Sequence, residues 1–378
     1  MYGIGPFTTP GDFATPSEAY FAHVDWVLSK AAEKGIMVFL NPAYAGYGTG
    51  DTTNTDGWIK EIVANGATKC RNYGRYLGNR YKDFNNIAGG DRVLSTTAEP
   101  IALEILKGIK DFAPAHLWTA HWTNAMNSMD VAAFRPYMDL NGVYAYDGIS
   151  GYVHQRSLSQ YNLPNFKPIY LWESWYEGLN WSGVVTPRAT VRREAYETNL
   201  SGSTGQNSGS NFIMMFGGPT GSGATYNWRD HLATPSTLDM VRVKQLFASR
   251  PWQLLEPDQS HTAVTGGYGT FGQSNYVTAA RTSDGSLVMA YVPSTGTDVR
   301  SLTVDLSKLS GAVTAQWFNP TSGSYSTISG SPMANSGSQS FTTPGNNGTG
   351  TNDWVLVLSG PPAVVPVPPP APDGLRVE

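Results

Sequence analysis

The chain has 378 residues, more than one hydrophobic core usually serves, so two domains are expected. Hydrophobic residues make up 40% and charged residues 14% of the sequence, a balance that builds cores and argues against disorder. The net charge of −4 offers no basic surface to nucleic acid, and no apolar run approaches the roughly 18 residues of a membrane span. We therefore expect neither nucleic acid nor a membrane among the partners.

Aromatic residues are frequent, at 12% of the chain with 11 Trp and 20 Tyr. Sugar-binding clefts use flat aromatic faces, but large cores use them as well, so composition leaves both roles open. The single cysteine, Cys70, excludes an intrachain disulfide and a cysteine-based zinc site, and its helical surroundings favour a buried thiol. No metal-ligand spacing occurs, and we predict no metal and no cofactor.

The first predicted elements are a helix and a strand. Thr15-Pro16-Ser17-Glu18 predicts a capping box with proline at the first helical position, an apolar face runs from Phe21 to Ala31, and Gly35 predicts the helix end. The continuous apolar run from Ile36 to Leu40 then predicts a buried strand that ends at Asn41.

The same helix–strand unit recurs along the first 250 residues. Helical patterns lie near 57–80, 98–112, 130–137, 153–160, 188–201 and 236–248, and strand patterns at 86–88, 117–121, 140–146, 168–172 and 212–216. Such repeats predict a parallel sheet covered by helices. No G-x-G-x-x-G follows an early strand, which disfavours the dinucleotide-binding open sheet. Polar and aromatic residues at strand C-terminal ends instead favour the closed (β/α)8 TIM barrel.

The number of strands is low for a closed barrel. The patterns give six strands, or seven if Tyr2-Gly3-Ile4 is the tail of one, and Asn86 to Ala88 is short for a central strand. We therefore expect an N-terminally truncated or rearranged barrel over residues 1–253.

The pattern changes after about residue 253. Short strands take over at 276–281, 286–292, 302–306, 313–318, 338–342 and 353–358, and Ser283-Asp284-Gly285 predicts a hairpin turn. We predict a small all-β, sandwich-like domain over residues 254–360, followed by a proline-rich linker at 361–378.

Two acidic residues stand at predicted strand ends. Glycoside hydrolysis needs two carboxyl groups flanking the bond, one to protonate the leaving oxygen and one to attack the sugar or activate water. Asp91 follows Gly89 and Gly90, which let the backbone turn sharply and leave room for a ligand. The alternative is an aspartate that caps the next helix.

Glu173 ends an apolar strand and is the stronger candidate. Burying a carboxylate there without a partner would be costly, so its placement indicates a function, unless it pairs with an arginine such as Arg192. Glu177, one turn further, either binds a sugar hydroxyl or competes for the catalytic role. We favour Glu173 because a strand end is more rigid.

Further candidates surround the same expected rim. His121 donates to a substrate hydroxyl, orients a carboxylate, or is structural. Tyr47 lies in the loop after the strand that ends at Asn41, and Tyr146 lies at the end of the strand predicted at 140–146; each also fits a structural role. The predicted substrate-binding residues are Asn41, Tyr44, His121, Trp122, Tyr144, Trp172, Tyr176 and Glu177. Each also fits a structural role, but together they would line one barrel mouth.

At these residues the sequence resembles the apiosidase-like glycoside hydrolases, whose barrel domain precedes a collagen-binding-like domain. The resemblance covers residues 2 to about 358. The matching stretches are 20–35, 73–81, 89–91, 167–173, 176–177, 192–196, 249–252 and 257–258, and in the second domain 279–281, 291–293, 317–320 and 353–358.

The resemblance implies a secreted bacterial enzyme that acts on plant cell-wall, pectic-type polysaccharide. The family's catalytic Asp falls on Asp91, as general acid/base, and its Glu on Glu173, as nucleophile. A carboxyl separation of ~5–5.5 Å would give retention of configuration and ~6.5–9.5 Å inversion. Residues 1–13 lack the features of a signal peptide, so export would require one further upstream.

Three hypotheses follow from the sequence. The first is a retaining glycosidase with an oligosaccharide or polysaccharide substrate. The second is a non-catalytic carbohydrate-binding protein on a degraded barrel. The third is a matrix- or collagen-binding module in which the β domain is the active part. The sequence leaves the oligomeric state open.

Overall fold

The computed structural model describes residues 3–48, 57–181, 183–214 and 227–361. The chain forms two compact units: residues 1–151 with 159–174 are unit 1, and residues 152–158 with 175–378 are unit 2. The fold has mixed α/β content with a sheet-rich C-terminal part. Of the predicted proline-rich linker, only Pro361 lies within the described residues. No helix of the described ranges is long and apolar enough to cross a membrane.

Unit 1 alternates helices and parallel strands. Its helices are α1 (Glu18–Glu33), α2 (Ile59–Arg80) and α3 (Ala98–Lys110). Its strands are β1 (Phe39–Leu40), β2 (Asn85–Gly89), β3 (Trp118–His121), β4 (Asn141–Tyr144) and β5 (Ile169–Glu173). Two 3₁₀ turns, Ser128–Asp130 and Arg135–Tyr137, replace the single short helix predicted near 130–137.

The strands of unit 1 confirm the predicted parallel pairing. β1, β2 and β3 form one parallel sheet in that order, and β4 pairs in parallel with β5. The backbone N–H groups of Asp139 and Leu140 donate to the carbonyl of Trp118 at 2.8 and 3.1 Å, which brings the start of β4 beside β3. The carboxyl ends of β2 to β5 therefore lie at one rim, where the candidate site is found.

The first predicted elements need two corrections. The capping box at Thr15 is wrong, because α1 begins only at Glu18 and the Thr15 hydroxyl donates to the carbonyl of Asp12 at 3.0 Å. The strand predicted from Ile36 is also too long. Ile36 and Met37 are 60% and 67% exposed, because within the described residues β1 has a strand partner on one side only. Gly35 ends the helix as predicted, with φ of 67°.

Helices α2 and α3 pack closely in the core of unit 1. The two helix backbones come close together at glycines. A Cβ at Gly74 or at Gly108 would lie 2.2 Å from a carbonyl oxygen of the facing helix. Cys70 is fully buried in this core, as predicted, and burial raises the pKa of its thiol to about 12. Unit 1 is thus a packed layer of helices behind the strands.

Unit 2 begins with helices and continues with sheets. Its helices are the first turns of α4 (Val153–Tyr161), α5 (Arg188–Leu200), α6 (Asn211–Met214) and α7 (Pro235–Ala248), with 3₁₀ turns at Trp228–His231, Trp252–Leu254 and Leu306–Lys308. Its strands are β6 (Asn180–Trp181), β7 (Val184–Val185), β8 (Ser203–Gln206), β9 (Leu255–Pro257), β10 (Val264–Gly266), β11 (Thr278–Thr282), β12 (Leu287–Val292), β13 (Ser301–Asp305), β14 (Thr314–Phe318), β15 (Tyr325–Thr327), β16 (Ser338–Thr342) and β17 (Trp354–Ser359).

Local signals predict some of these elements and miss others. Thr234 caps α7, since its hydroxyl accepts from the Thr237 backbone N–H at 3.2 Å. The strand predicted at 212–216 is wrong over residues 212–214, which belong to α6, and residues 215–216 lie outside the described ranges. The strands β8, β9, β10 and β15 were not predicted; each has only three or four residues, too few for a clear alternation of side chains. Gly3 and Ile4 form no strand, and Tyr2 is outside the described residues.

Two antiparallel sheets of unit 2 share an apolar core. One has six strands in the order β15-β14-β17-β12-β11-β9, and the other has three in the order β10-β13-β16. Alternation between buried and exposed residues is absent from β12, all six residues of which are buried. A strand buried along its whole length must have both faces covered.

The second face of the six-stranded sheet is covered by α5 and α7. Tyr196 of α5 stacks on Tyr291 of β12 with ring centroids 5.0 Å apart, and Leu246 of α7 belongs to the same buried cluster. The helices α5 and α7, which precede residue 254, therefore complete the core of a sheet whose strands follow residue 254. The division predicted at residue 253/254 stays a prediction.

Candidate active site

A tight turn after β2 carries Asp91. Gly89 has φ of 94°, and a Cβ there would lie 2.3 Å from the carbonyl oxygen of His121. A Cβ at Gly90 would lie 2.8 Å from the backbone nitrogen of Ala45. The backbone N–H of Ala45 donates to Gly89 at 3.0 Å, and that of Gly90 donates to His121 at 2.9 Å. Both glycines are needed because the chain segments after β1 and β3 close directly onto this turn.

Arg92 anchors the turn from behind. Its side chain is 1% exposed, and its Nε and Nη2 donate to the carbonyl oxygens of Gly46 and Tyr47 at 3.1 and 3.0 Å. The segment after β1 is thereby held against Asp91. The local pattern around Arg92 predicts no such role, because it does not show that an arginine after a turn reaches backbone carbonyls about 45 residues earlier in the chain.

Glu173, the last residue of β5, is surrounded by donors from neighbouring strand ends. His121 Nε2 lies 2.8 Å from Oε2. The hydroxyls of Tyr144 and Tyr146 donate to Oε1 at 2.8 and 2.6 Å. A register shift between Val143 and Tyr144 places Tyr144 opposite Glu173. The side chains of His121 and Glu173 are 16% and 14% exposed, so the cluster is largely buried but reaches solvent.

The two acids influence each other electrostatically. Burial, followed by the negative charge of Glu173, raises the pKa of Asp91, while His121 and a side-chain hydrogen bond with Tyr144 act in the opposite direction. On Glu173, three donors stabilise the negative charge. The environment therefore favours a proton on Asp91 and a charge on Glu173, the separation of roles that acid and nucleophile require.

Tyr44 lies at the same rim. It is 38% exposed, and it is hydrogen-bonded to the backbone of Asp91. Its pKa is raised by burial and then by the charge of Asp91. Tyr44, His121 and Tyr144 thus stand with the two acids, and His121 contacts the carboxylate of Glu173, while their predicted roles in substrate binding stay predictions. Tyr146 belongs to the same cluster.

Three other predicted residues differ in their surroundings. Trp122 is 1% exposed, donates to the Ser128 carbonyl at 3.2 Å and packs in the core, so its ring offers no face to a sugar. Trp172 of β5 donates to Thr119 Oγ1 of β3 at 2.9 Å, so its polar atom already has a partner. Asn41 is exposed, and its predicted role in substrate binding stays a prediction.

Tyr176 and Glu177 belong to unit 2. The backbone N–H of Glu177 donates to Gly209 at 3.1 Å, and the ring of Tyr176 packs against Gly209. Their predicted roles in substrate binding stay predictions. The alternative partner for Glu173, Arg192, is wrong, because Arg192 binds Asp239 and Asp353. Among the residues that the structure describes, no group of His, Cys, Asp and Glu could hold a metal ion.

Two carboxyl groups that influence each other electrostatically stand where parallel strands end, an arrangement that glycoside hydrolases use. The family model of the apiosidase-like catalytic domain matches residues 1–254. A second model, described as "Putative collagen-binding domain of a collagenase", matches residues 257–359. The chain belongs to the apiosidase-like family of glycoside hydrolases.

Solved structures with a similar fold are glycoside hydrolases. A family 5 enzyme from Bacteroides vulgatus has 22% identity and a TM-score of 0.78, covering 95% of this chain and 79% of its own. Another glycoside hydrolase has 22% identity and a TM-score of 0.76, covering 94% and 82%. An α-amylase from Anoxybacillus has 10% identity and a TM-score of 0.54, covering 95% and 84%. These likenesses concern the fold. No curated protein matches the chain.

Proposed function

We propose that the chain hydrolyses a glycosidic bond in plant cell-wall, pectic-type polysaccharide with retention of configuration. Asp91 is the general acid/base and Glu173 the nucleophile. The observation that carries this proposal is the contrast between the two acids at one rim. Glu173 holds three hydrogen-bond donors, whereas burial and the Glu173 charge raise the pKa of Asp91.

The reaction would proceed in two balanced steps. In the first, a Glu173 oxygen bonds to the anomeric carbon while the glycosidic bond breaks, and the leaving oxygen takes the Asp91 proton. In the second, Asp91 takes a proton from water, the water oxygen bonds to the anomeric carbon, and the bond to Glu173 breaks. Asp91 and Glu173 return to their first states.

A ring contact in unit 1 supports a barrel as the scaffold. The rings of Phe39 in β1 and Trp172 in β5 are 5.3 Å apart. In a flat sheet, strands four positions apart are separated by about 19 Å. Side chains of β1 and β5 can therefore meet only across a strongly curved sheet. We propose a (β/α)8-type barrel on this ground.

Pectic substrate, secretion and a bacterial source rest on the resemblance stated from the sequence. The chemistry of the site sets only the carbohydrate class. Substrate profiling can change the proposed substrate without affecting the assignment of the two acids.

The test is hydrolysis of pectic oligosaccharides and aryl glycosides by the full chain and by Glu173→Gln and Asp91→Asn. We expect Glu173→Gln to lose on the order of 10⁴-fold or more in kcat. Asp91→Asn should retain activity on aryl glycosides with good leaving groups, because these need no acid, and azide should accelerate it. NMR of the first product shows its anomeric configuration. Unchanged turnover in Glu173→Gln would refute the assignment, and inverted product would refute retention.

One observation favours a second function, the match of residues 257–359 to the collagen-binding model. The full chain is the proper material for this test, because α5 and α7 complete the core of the six-stranded sheet. Binding to immobilised collagen by a hydrolytically inactive chain would support matrix binding. Binding of oligosaccharides without cleavage would support a non-catalytic carbohydrate-binding protein.

A further inference from the structure

The hydroxyl of Tyr144 lies between the two acids. It donates to Glu173 Oε1 at 2.8 Å, and the same side chain is hydrogen-bonded to Asp91. Its ring is 4% exposed and packs against His121 and Tyr146, with centroids 4.8 and 5.6 Å away. The ring is therefore held in place, and the hydroxyl proton is the part that can turn.

A phenol carries one proton and also accepts hydrogen bonds. That single proton can point to only one acid at a time: it is donated to Glu173 Oε1 at 2.8 Å, and because the hydrogen bond with Asp91 lowers the pKa of Asp91, it stabilises the ionised form of that acid. The Tyr144 proton can therefore serve whichever of the two carboxylates carries the charge.

Oε1 of Glu173 accepts a second hydrogen bond, from the hydroxyl of Tyr146 at 2.6 Å. With two donors on Oε1, attack on the sugar falls to Oε2, the oxygen that His121 contacts at 2.8 Å. Tyr144 and Tyr146 therefore fix which oxygen reacts, and they act through Glu173 as positioning residues.

We propose that the Tyr144 hydroxyl proton follows the negative charge between the two acids during turnover. This inference rests on the proposed function. Before the reaction, Tyr144 donates to ionised Glu173. After Oε2 has bonded to the sugar and Asp91 has given its proton to the leaving oxygen, Glu173 is a neutral ester and Asp91 is charged. The hydroxyl then turns and donates to Asp91, and it turns back when water releases the sugar.

The groups that face this hydroxyl set the expected pH behaviour. Asp91, Glu173 and His121 carry or accept charge, and the phenols of Tyr44 and Tyr146 are the other titratable neighbours. The hydrogen bond with Tyr144 lowers the pKa of Asp91, so its removal raises that pKa. Loss of a donor to Glu173 makes ionisation of Glu173 less favourable.

The test compares Tyr144→Phe with Tyr146→Phe, which removes a hydroxyl from the same oxygen. We measure the pH profile of kcat/KM and the reactivation rate of the enzyme trapped with a 2-fluoro glycoside, followed by intact mass. In Tyr144→Phe both limbs should move to higher pH, because the alkaline limb reports Asp91. In Tyr146→Phe only the acid limb should move. Reactivation should be about 10- to 100-fold slower in Tyr144→Phe than in Tyr146→Phe, the effect of one hydrogen bond to a charged group.

An isosteric replacement covers the case in which Tyr144→Phe does not fold. Incorporation of 2,3-difluorotyrosine at position 144 makes the hydroxyl a stronger donor, and the alkaline limb should move to lower pH. If the alkaline limb matches that of the unmodified enzyme in every variant, or if both phenylalanine variants reactivate equally, Tyr144 is a static donor and the inference is wrong. Unchanged turnover in Glu173→Gln would instead remove the proposed function itself.

Discussion

Glu173 in unit 1 and Asp353 in unit 2 are both carboxylates next to strands, yet their partners differ in kind. Asp353, just before β17, is fully buried and accepts from Arg192 Nε and Nη2 at 2.8 and 2.6 Å. Tyr291 adds a hydroxyl at 2.9 Å. Glu173 is partly exposed and accepts from histidine and tyrosine. A guanidinium keeps its charge and holds a carboxylate ionised in one position. Histidine and tyrosine can exchange protons, and they leave the carboxylate reactive.

The Arg192 cluster also joins elements of unit 2. Arg192 of α5 contacts Asp239 of α7 at 2.8 Å as well as Asp353. Burial would lower the pKa of Arg192, but the hydrogen bond with Asp353 and the surrounding negative charges raise it instead. Such a cluster holds helices to a sheet, and it contains no group that a substrate could reach.

The largest effect on stability is expected when the Arg192 cluster is broken. Arg192→Leu leaves Asp353 buried without its cation, while Asp239 keeps Arg188 and Arg242, and should lower the free energy of unfolding by about 3–5 kcal/mol. Urea denaturation followed by circular dichroism measures this loss. Glu173→Gln is the matched control and should cost much less. Equal losses in the two variants would contradict the comparison.

The next effect concerns the turn that presents Asp91. Gly89→Ala combines φ of 94° with a Cβ placed 2.3 Å from the His121 carbonyl, and should cost about 2–3 kcal/mol while lowering kcat. Gly148→Ala is the control, because it has φ of 82° with nothing within 4 Å of the added Cβ. It should cost only about 1 kcal/mol and leave kcat unchanged. Thermal melts and rates on one aryl glycoside distinguish strain alone from displacement of Asp91.

Removal of single hydroxyls sharpens the contrast. Tyr291→Phe deletes the 2.9 Å contact with Asp353 and should cost about 1.5 kcal/mol of stability without changing kcat. Tyr146→Phe should do the reverse, with a clear fall in kcat and a smaller change in stability. The pair is measured by urea denaturation and initial rates. A loss of activity in Tyr291→Phe would show that the two clusters are not separable in this way.

The smallest effect is a gain in stability. Because the folded state raises the pKa of Asp91, its ionised form is disfavoured by folding, and the stability of the protein falls as pH rises through that pKa. Asp91→Asn removes this penalty and should give a slightly higher Tm at pH 8. The difference should vanish below the ordinary carboxyl pKa of about 3.9, where both states are protonated. A lower Tm for Asp91→Asn at pH 8 would mean that the charge of Asp91 stabilises the fold.

Much of the fold could be predicted from local signals. The parallel helix–strand units, the end of α1 at Gly35 and the cap of α7 at Thr234 depend on periodicity and on residues within one turn. The capping box at Thr15 and the strand at 212–216 show where that basis fails, because the same short patterns fit a turn or a helix equally well.

The sequence by itself determined the candidates Asp91 and Glu173, because a carboxylate after an apolar strand is a signal that depends on neighbours along the chain. Only the tertiary structure decided their partners. The bulge at Tyr144 aligns a phenol with Glu173, Trp122 turns into the core, and Arg192 finds Asp353 across 161 residues of sequence. These outcomes depend on how segments distant in sequence approach each other in space, and that information is absent from the local pattern around any one of them.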